Sequence, residues 1–101
     1  MKDKDSIERI PVHVKDGINQ RKTKTLSLNL RSDLDSKLVA QTVATQFFGY
    51  GLENDDGTPY DYRFIYEGRL LTPDETLTEA SVAAESTLLL TYNPSSAGLL
   101  P

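Results

Sequence analysis

The side chains that could coordinate a metal ion are a group of carboxylates in the middle of the sequence. Glu53, Asp55, Asp56 and Asp61 follow one another closely, and carboxylate oxygens are ligands that Ca²⁺ prefers. Their spacing does not match a calcium-binding loop, in which an acid at the twelfth position completes the ligand set. We therefore expect a solvated turn and no metal site.

Residues that could catalyse a reaction are also scarce. The single histidine, His13, lies in an alternating apolar segment with no visible partner constellation, and there is no cysteine. A chain without cysteine has no thiol nucleophile, thiolate metal ligand or disulfide, and no nucleophile–base pair is visible. We predict that the protein is not an enzyme, has no catalytic residues and needs no cofactor.

Composition limits the class of partner and the location. The 101 residues are enough for one domain. The net charge of -4 and the lack of a basic stripe disfavour nucleic-acid binding. The opening segment MKDKDSIER is polar, unlike a signal peptide, and no segment is apolar for long enough to span a membrane. We expect a cytoplasmic protein.

The segment PSSAGLLP, from Pro94 to Pro101, contrasts with the apolar STLLLTYN before it. Pro94 ends a strand because proline has no backbone N–H to donate, and the small residues after it keep the segment slender and flexible. Gly98 precedes Leu99, and a glycine without a Cβ lets another backbone approach closely. The segment is either an inert end with a chance glycine or one that another protein recognises and trims.

The elements that would carry these residues begin with two strands. Apolar residues alternate at period two in IPVHVKDG and again in KTKTLSLNL, which predicts two half-buried strands. An Asp-Gly turn signal and polar residues separate them, so we predict an antiparallel hairpin with a long loop.

The segment RSDLDSKLVAQTVATQFFGYG predicts a helix of about fifteen residues. Ser32 and Asp33 are suitable N-cap residues, and Gly49 and Gly51 provide left-handed conformations that end a helix. Apolar residues recur at helical spacing, and two phenylalanines near the end are expected to fill the core. These predicted core residues are Leu34, Leu38, Val39, Thr42, Val43, Phe47 and Phe48.

The second half of the sequence reads mainly as strands. DYRFIYEG is an alternating strand that ends at Gly68, and a short strand follows at Arg69 to Leu71. A single helical turn is predicted near Thr78 to Val82. The continuous apolar run of STLLLTYN predicts a central strand buried on both faces. The fold is therefore predicted to be α+β, with a mixed sheet of four to five strands and one main helix across one face.

The stretch from Asp61 to Asn93 resembles the second half of ubiquitin. In both, a strand of pattern Arg-apolar-apolar-aromatic leads to a glycine, a short strand ends in leucine, TL opens a short turn, and ESTL leads into the last strand. The resemblance extends more loosely to residue 10, and the chain is identified as a ubiquitin-like β-grasp protein. It implies a flexible arm at 1–9, a β-grasp domain at 10–93 and a flexible tail at 94–101.

For ubiquitin-like modifiers, the resemblance places the chemistry in the tail. It implies a precursor that a peptidase cleaves after Gly98, followed by adenylation in an activating enzyme and transfer through a conjugating enzyme to target proteins. Ala97 stands where ubiquitin has the first of its paired glycines, and the flanking arginines of ubiquitin are absent. Altered tails of this kind resemble those of bacterial modifiers encoded beside an activating enzyme and a peptidase. The protein is expected to be a monomer before conjugation.

The β-grasp fold also serves other roles, since a fold does not fix a function. The alternatives are a non-covalent interaction module and a sulfur carrier. Similarity to ubiquitin implies a partner-binding patch at Ile65, Leu89 and Thr91, with Ile18 as a looser match. The main chain-building lysine of ubiquitin is replaced by Arg69. The candidate acceptors are instead Lys2, Lys4, Lys15, Lys22 and Lys24.

Overall fold

The two alternating segments pair as the predicted antiparallel hairpin. The computed structural model describes residues 8–18, 21, 23–53 and 55–92. Here β1 (Arg9–Asp16) lies beside β2 (Thr25–Arg31), with Val12 opposite Leu28. Val12 and Val14 are fully buried while their neighbours along β1 are more exposed, as the period of two predicts.

Three further strands complete a mixed sheet of order β2-β1-β5-β3-β4. They are β3 (Tyr62–Tyr66), β4 (Arg69–Leu70) and β5 (Thr87–Tyr92), and only the β1–β5 pair is parallel. The central position of β5 is confirmed. Its predicted burial on both faces is wrong, because Leu88 and Leu90 are buried whereas Leu89 is only half-buried. The one helix of the described residues covers a single sheet face, and the other face is open.

The helix α1 (Ser36–Gln46) is shorter than predicted and begins later. Asp33 is held by Arg31 through hydrogen bonds of 2.8 Å, and the Ser32 N–H donates to the Glu8 carbonyl. Neither residue is therefore the N-cap, and Asp35 takes that position without a side-chain bond. The first N–H groups of the helix donate instead to carbonyl groups of Pro73 and Glu75. These carbonyls serve as acceptors for N–H groups that have no partner within the helix itself.

Small residues, more than large ones, form the buried face of α1. Ala40 and Ala44 are fully buried together with Val39 and Val43, and their short side chains let the helix lie close to the sheet. The predicted core positions Leu38 and Phe47 are 50% and 48% exposed, so that prediction is wrong for them. Leu34 and Phe48 pack against the core as partly buried residues, while Thr42 is exposed.

The helix ends where Gly49 adopts a positive φ of 79°, as predicted. The same prediction is wrong for Gly51, which does not adopt a positive φ. Beyond β4 the chain makes a single turn held by a helix-type hydrogen bond, in which the Ala80 N–H donates to the Thr76 carbonyl four residues earlier. This turn lies close to the helical turn predicted near Thr78 to Val82 and begins slightly before it. This turn contributes Leu77, Ala80 and Val82 to the core. Within the described ranges, no helix has the length and apolar character that crossing a membrane requires.

Candidate protein-interaction surface

A row of apolar side chains crosses the open face of the sheet. Leu89 pairs with Ile65, and Ile65 in turn pairs with Leu70 on β4. Directly paired residues share a sheet face, and the residues that alternate with them, including Phe64, are fully buried on the helix side. Leu89, Ile65 and Leu70 therefore face away from α1, and we call them the open-face row. Leu70 is 44% exposed.

Leu89 is positioned by a close approach of the backbone at Gly17. A Cβ on Gly17 would lie 2.8 Å from Leu89 Cδ1 and 2.7 Å from the Leu90 carbonyl oxygen. The Gly17 N–H donates to the same Leu90 oxygen at 2.8 Å. The Asp-Gly pair that predicts a turn in the sequence thus also makes room for the leucine of the open-face row.

Polar groups border the open-face row on both sides. Thr91 lies opposite Arg63, whose guanidinium donates to the Leu71 carbonyl and to Asp61. Lys15 pairs with Leu89 on the other side and is exposed. An exposed apolar strip with a polar rim is a common arrangement at protein-binding surfaces.

The fourth residue predicted for the patch, Ile18, lies elsewhere. It is partly buried against the core, its N–H donates to Asp16 Oδ1, and it lines a cavity with several tyrosines. The structure thus brings Ile65 and Leu89 together, with Thr91 next along β5, and places Ile18 with a different set of residues.

The other residues singled out in the sequence fall into two groups. Lys15 and Lys24 are exposed, and Lys24 Nζ lies 5.9 Å from the ring centroid of Phe48. The remaining candidate acceptor lysines and the predicted cleavage site lie outside the described residues: Lys2, Lys4, Lys22, Gly98 and Leu99.

Arg69 and Glu75 form a bidentate ion pair after β4. The two Arg69 Nη atoms donate to the Glu75 carboxylate at 3.0 and 2.8 Å, and the Thr72 N–H donates to the same carboxylate. The Arg69 hydrogen bond and then the Thr72 backbone bond lower the pKa of Glu75 to about 2. The pair stabilises the loop whose carbonyl groups accept hydrogen bonds from the first N–H groups of α1.

His13 has partners that the sequence did not reveal. Its Nδ1 lies 2.9 Å from Ser27 Oγ, and its Nε2 lies 3.0 Å from Glu85 Oε1. The sequence shows no partner constellation for His13, and strand pairing supplies one partner by placing Ser27 opposite it. The contacts join β2, β1 and the turn before β5, where Glu85 adopts a φ of 68° and donates its N–H to Pro11.

The carboxylates between α1 and β3 do not converge. Asp56 accepts hydrogen bonds from Thr58, and Asp61 accepts one from Arg63. Among the described residues, no three His, Cys, Asp or Glu side chains are placed to hold a metal ion.

Four tyrosines line a cavity of about 290 Å³ at the end of the sheet where β5 finishes: Tyr50, Tyr60, Tyr62 and Tyr92. Burial, with lesser effects of neighbouring tyrosines, raises the pKa of Tyr62 to about 12, and its hydroxyl donates to the Gly51 carbonyl at 2.6 Å. No local sequence pattern predicts this cavity, since the tyrosines come from three separate segments.

Several solved structures superpose on this chain. A ubiquitin of Caldiarchaeum subterraneum superposes with a TM-score of 0.61 at 20% identity, over 85% of this chain and 95% of that one. The UBL domain of Plasmodium falciparum Dsk2 gives 0.59 at 20% identity, over 85% and 100%. A structure described as molecular mimicry of SUMO gives 0.61 at 17% identity, over 83% and 91%. The fold is ubiquitin-like.

The predicted β-grasp fold is thereby confirmed. No protein-family model matches the sequence, and no curated protein matches it significantly. At these identities the likeness concerns the ubiquitin-like fold, and the function must be argued from the chain's own residues.

Proposed function

We propose that this chain is a ubiquitin-like protein modifier that is cleaved after Gly98 and conjugated through the resulting carboxylate. The observation that carries the proposal is the position of that glycine relative to a ubiquitin-like sheet. Gly98 lies six positions after Tyr92, the last residue of the central strand β5. An extended chain of that length reaches roughly 20 Å, which is enough to enter a narrow catalytic channel of a partner enzyme.

The chemistry proceeds in four steps. A peptidase adds water across the Gly98–Leu99 bond and leaves a carboxylate on Gly98. An activating enzyme joins that carboxylate to AMP from ATP and releases pyrophosphate. A thiol of the activating or conjugating enzyme then displaces AMP to give a thioester. Finally, a target amine attacks the thioester carbonyl, which forms an amide and releases the thiol. In this scheme the modifier itself is not an enzyme.

The partners follow from that chemistry. They are a processing peptidase, an activating enzyme, a conjugating enzyme and target proteins, acting in the cytoplasm and encoded together as in the bacterial systems that the sequence resembles. Lys15 and Lys24 are exposed and are candidate acceptors if the modifier forms chains on itself.

A non-covalent interaction module is the second candidate, and the open-face row favours it. Ile65 and Leu89 lie side by side on the open face, and Leu70 extends the row to an edge strand. An exposed apolar strip marks a binding surface whether or not the chain is conjugated. Both candidates therefore use this surface, and they differ in the fate of Gly98.

Intact-mass measurement separates the two. The full chain is incubated with ATP and with the peptidase and activating enzyme of a bacterial ubiquitin-like system. We expect loss of Leu99, Leu100 and Pro101, followed by a covalent adduct. A Gly98→Trp variant is expected to resist both steps, while a Ser96→Ala variant serves as the matched control in the same segment. An unchanged mass for the parent chain, together with full partner binding by Gly98→Trp, would overturn the modifier proposal and leave the interaction module.

The surface is tested by Ile65→Asp, with Asn29→Asp as a control that adds the same charge on the open face of β2. We expect the first variant to lose binding to the activating enzyme by at least tenfold in Kd, as for a central interface residue. The second is expected to bind as the parent does. Circular dichroism checks that both variants remain folded.

A further inference from the structure

The tyrosine cavity beside the end of β5 has walls suited to a flat or organic cation. Tyr60 and Tyr92 have ring centroids 5.0 Å apart and planes at 83°, so their faces point in different directions. Tyr62 lies 5.7 Å from Tyr60 and 6.3 Å from Tyr92. The negative potential of aromatic faces attracts cations that lie over them, and a concave group of such faces concentrates this attraction.

Negative charge is added to this cavity by two carboxylates. Glu53 and Asp55 are exposed residues that line it, so they lie on its solvent side. Neither forms an ion pair with another residue in the part of the chain that the structure describes. The described residues of the lining thus combine π faces with net negative charge, and none of them is a lysine or arginine.

Two of the four tyrosine rings of the cavity are held in place before any ligand binds. The Tyr50 hydroxyl donates to Asp16 at 2.5 Å, and the Tyr62 hydroxyl donates to Gly51 at 2.6 Å. A ligand that enters does not have to order these two rings, and this lowers the entropy cost of binding. The volume of about 290 Å³ lies at or below the range of about 300–1,000 Å³ for sites that hold drug-sized ligands. It is suited to one side chain more than to a cofactor.

We propose that this cavity binds the guanidinium group of an arginine on a partner protein. Arginine fits better than lysine because its planar, weakly hydrated guanidinium stacks on aromatic faces while its N–H groups reach carboxylates. The stacking partner is Tyr92, the perpendicular ring of Tyr60 lies beside the edge of the guanidinium, and the hydrogen-bond acceptors are Glu53 and Asp55. The inference does not depend on cleavage at Gly98, since every residue involved precedes Asn93.

The test is an NMR titration of the full ¹⁵N-labelled chain at low ionic strength with N-acetyl-arginine amide. N-acetyl-citrulline amide is the neutral probe of the same shape. We expect saturable shifts of the Ile18, Gly51 and Tyr92 amides with arginine, with a Kd on the order of 1–50 mM for an isolated side chain. Citrulline is expected to bind at least threefold more weakly, and 0.5 M salt is expected to weaken the arginine interaction.

Two variants assign the interaction to its groups. Glu53→Gln combined with Asp55→Asn removes the carboxylates and leaves the aromatic walls intact, and we expect a three- to tenfold higher Kd. Glu67→Gln combined with Asp74→Asn changes the net charge equally but lies away from the cavity, and we expect no change. Tyr92→Leu keeps an apolar wall without a π face and is expected to weaken binding about threefold or more.

Three results would overturn the proposal. Equal affinity for citrulline and arginine would show that charge has no role in the cavity. An unchanged Kd in the Glu53→Gln, Asp55→Asn variant would show that the carboxylates do not contact the ligand. Saturable shifts confined to residues outside the cavity would place arginine binding at another site. The amide spectrum of each variant also reports whether it is folded, so that a loss of binding by unfolding is recognised.

Discussion

Replacing Gly17 by alanine is expected to destabilise the fold by about 1–2 kcal/mol. The new Cβ would meet the Leu90 carbonyl oxygen at 2.7 Å and the Leu89 side chain at 2.8 Å. Inserting an extra carbon at such a packed position costs about 1–3 kcal/mol. Alanine also restricts the unfolded chain, and this effect alone raises the free energy of unfolding by about 0.4–1 kcal/mol. The net loss follows from the difference between these two terms.

The assay is urea unfolding followed by far-UV circular dichroism, with thermal unfolding in parallel. We expect a lower midpoint with an unchanged slope, since the native surface is not altered, and a melting temperature lower by about 5–10 °C. Gly51→Ala is the matched control, because its nearest neighbour is the Glu53 carbonyl oxygen at an ordinary 3.6 Å. That variant is expected to be as stable as the parent or slightly more so.

Equal stability of Gly17→Ala and the parent chain would refute this reasoning. It would mean that the Leu90 carbonyl and the Leu89 side chain move aside without loss, and that the glycine does not position the open-face row. A change in the slope of the urea transition would instead indicate an altered denatured or native state.

Three further substitutions test contacts described above. Glu75→Gln removes the ion pair with Arg69. Because folding lowers the pKa of Glu75 from 4.5 to about 2, the parent chain has the full stabilisation from this pair above pH 4.5 and loses it as the pH falls to about 2. We expect a deficit of about 1 kcal/mol at pH 7 and none near pH 2, measured by urea unfolding at each pH; an equal deficit at both values would contradict this. Tyr50→Phe removes a donor to the buried carboxylate of Asp16 and is expected to lower stability by about 1–2 kcal/mol in the same assay, and an unchanged midpoint would contradict it. Ser36→Ala removes a buried hydroxyl that donates to a loop carbonyl at 2.9 Å, with an expected loss of about 1 kcal/mol or less, detected as faster hydrogen exchange in the first turn of α1; unchanged exchange there would count against the contact.

The strands could be predicted from the sequence because each strand satisfies a local rule. Alternation at period two located β1, β2 and β3, and the apolar run of β5 located the centre of the sheet. The one-sided burial of β5 could not be predicted in this way. An unbroken apolar run shows that a strand is apolar on both faces, and whether a second layer covers each face depends on the rest of the chain.

The helix start and the tyrosine cavity depend on residues far apart in sequence. Ser32 and Asp33 have the types of N-cap residues, yet the acceptors for the first N–H groups come from the loop at Pro73 and Glu75. The cavity likewise forms only when the end of β5 meets the start of β3. Neither arrangement leaves a local pattern in the sequence.

The parallel pairing of β1 with β5 bears on how the protein is made. Lys15 and Leu89, which pair across these strands, are separated by most of the described chain. Forming this contact therefore costs the entropy of closing a long loop, and it slows folding relative to local pairings. During synthesis the β1–β2 hairpin can form early. The central strand β5 can join the sheet only after Thr87–Tyr92 has left the ribosome. The open-face row, which has Leu89 at its β5 end, is therefore incomplete on a nascent or truncated chain that lacks β5. Partners that bind it would distinguish finished molecules from fragments without any separate quality check.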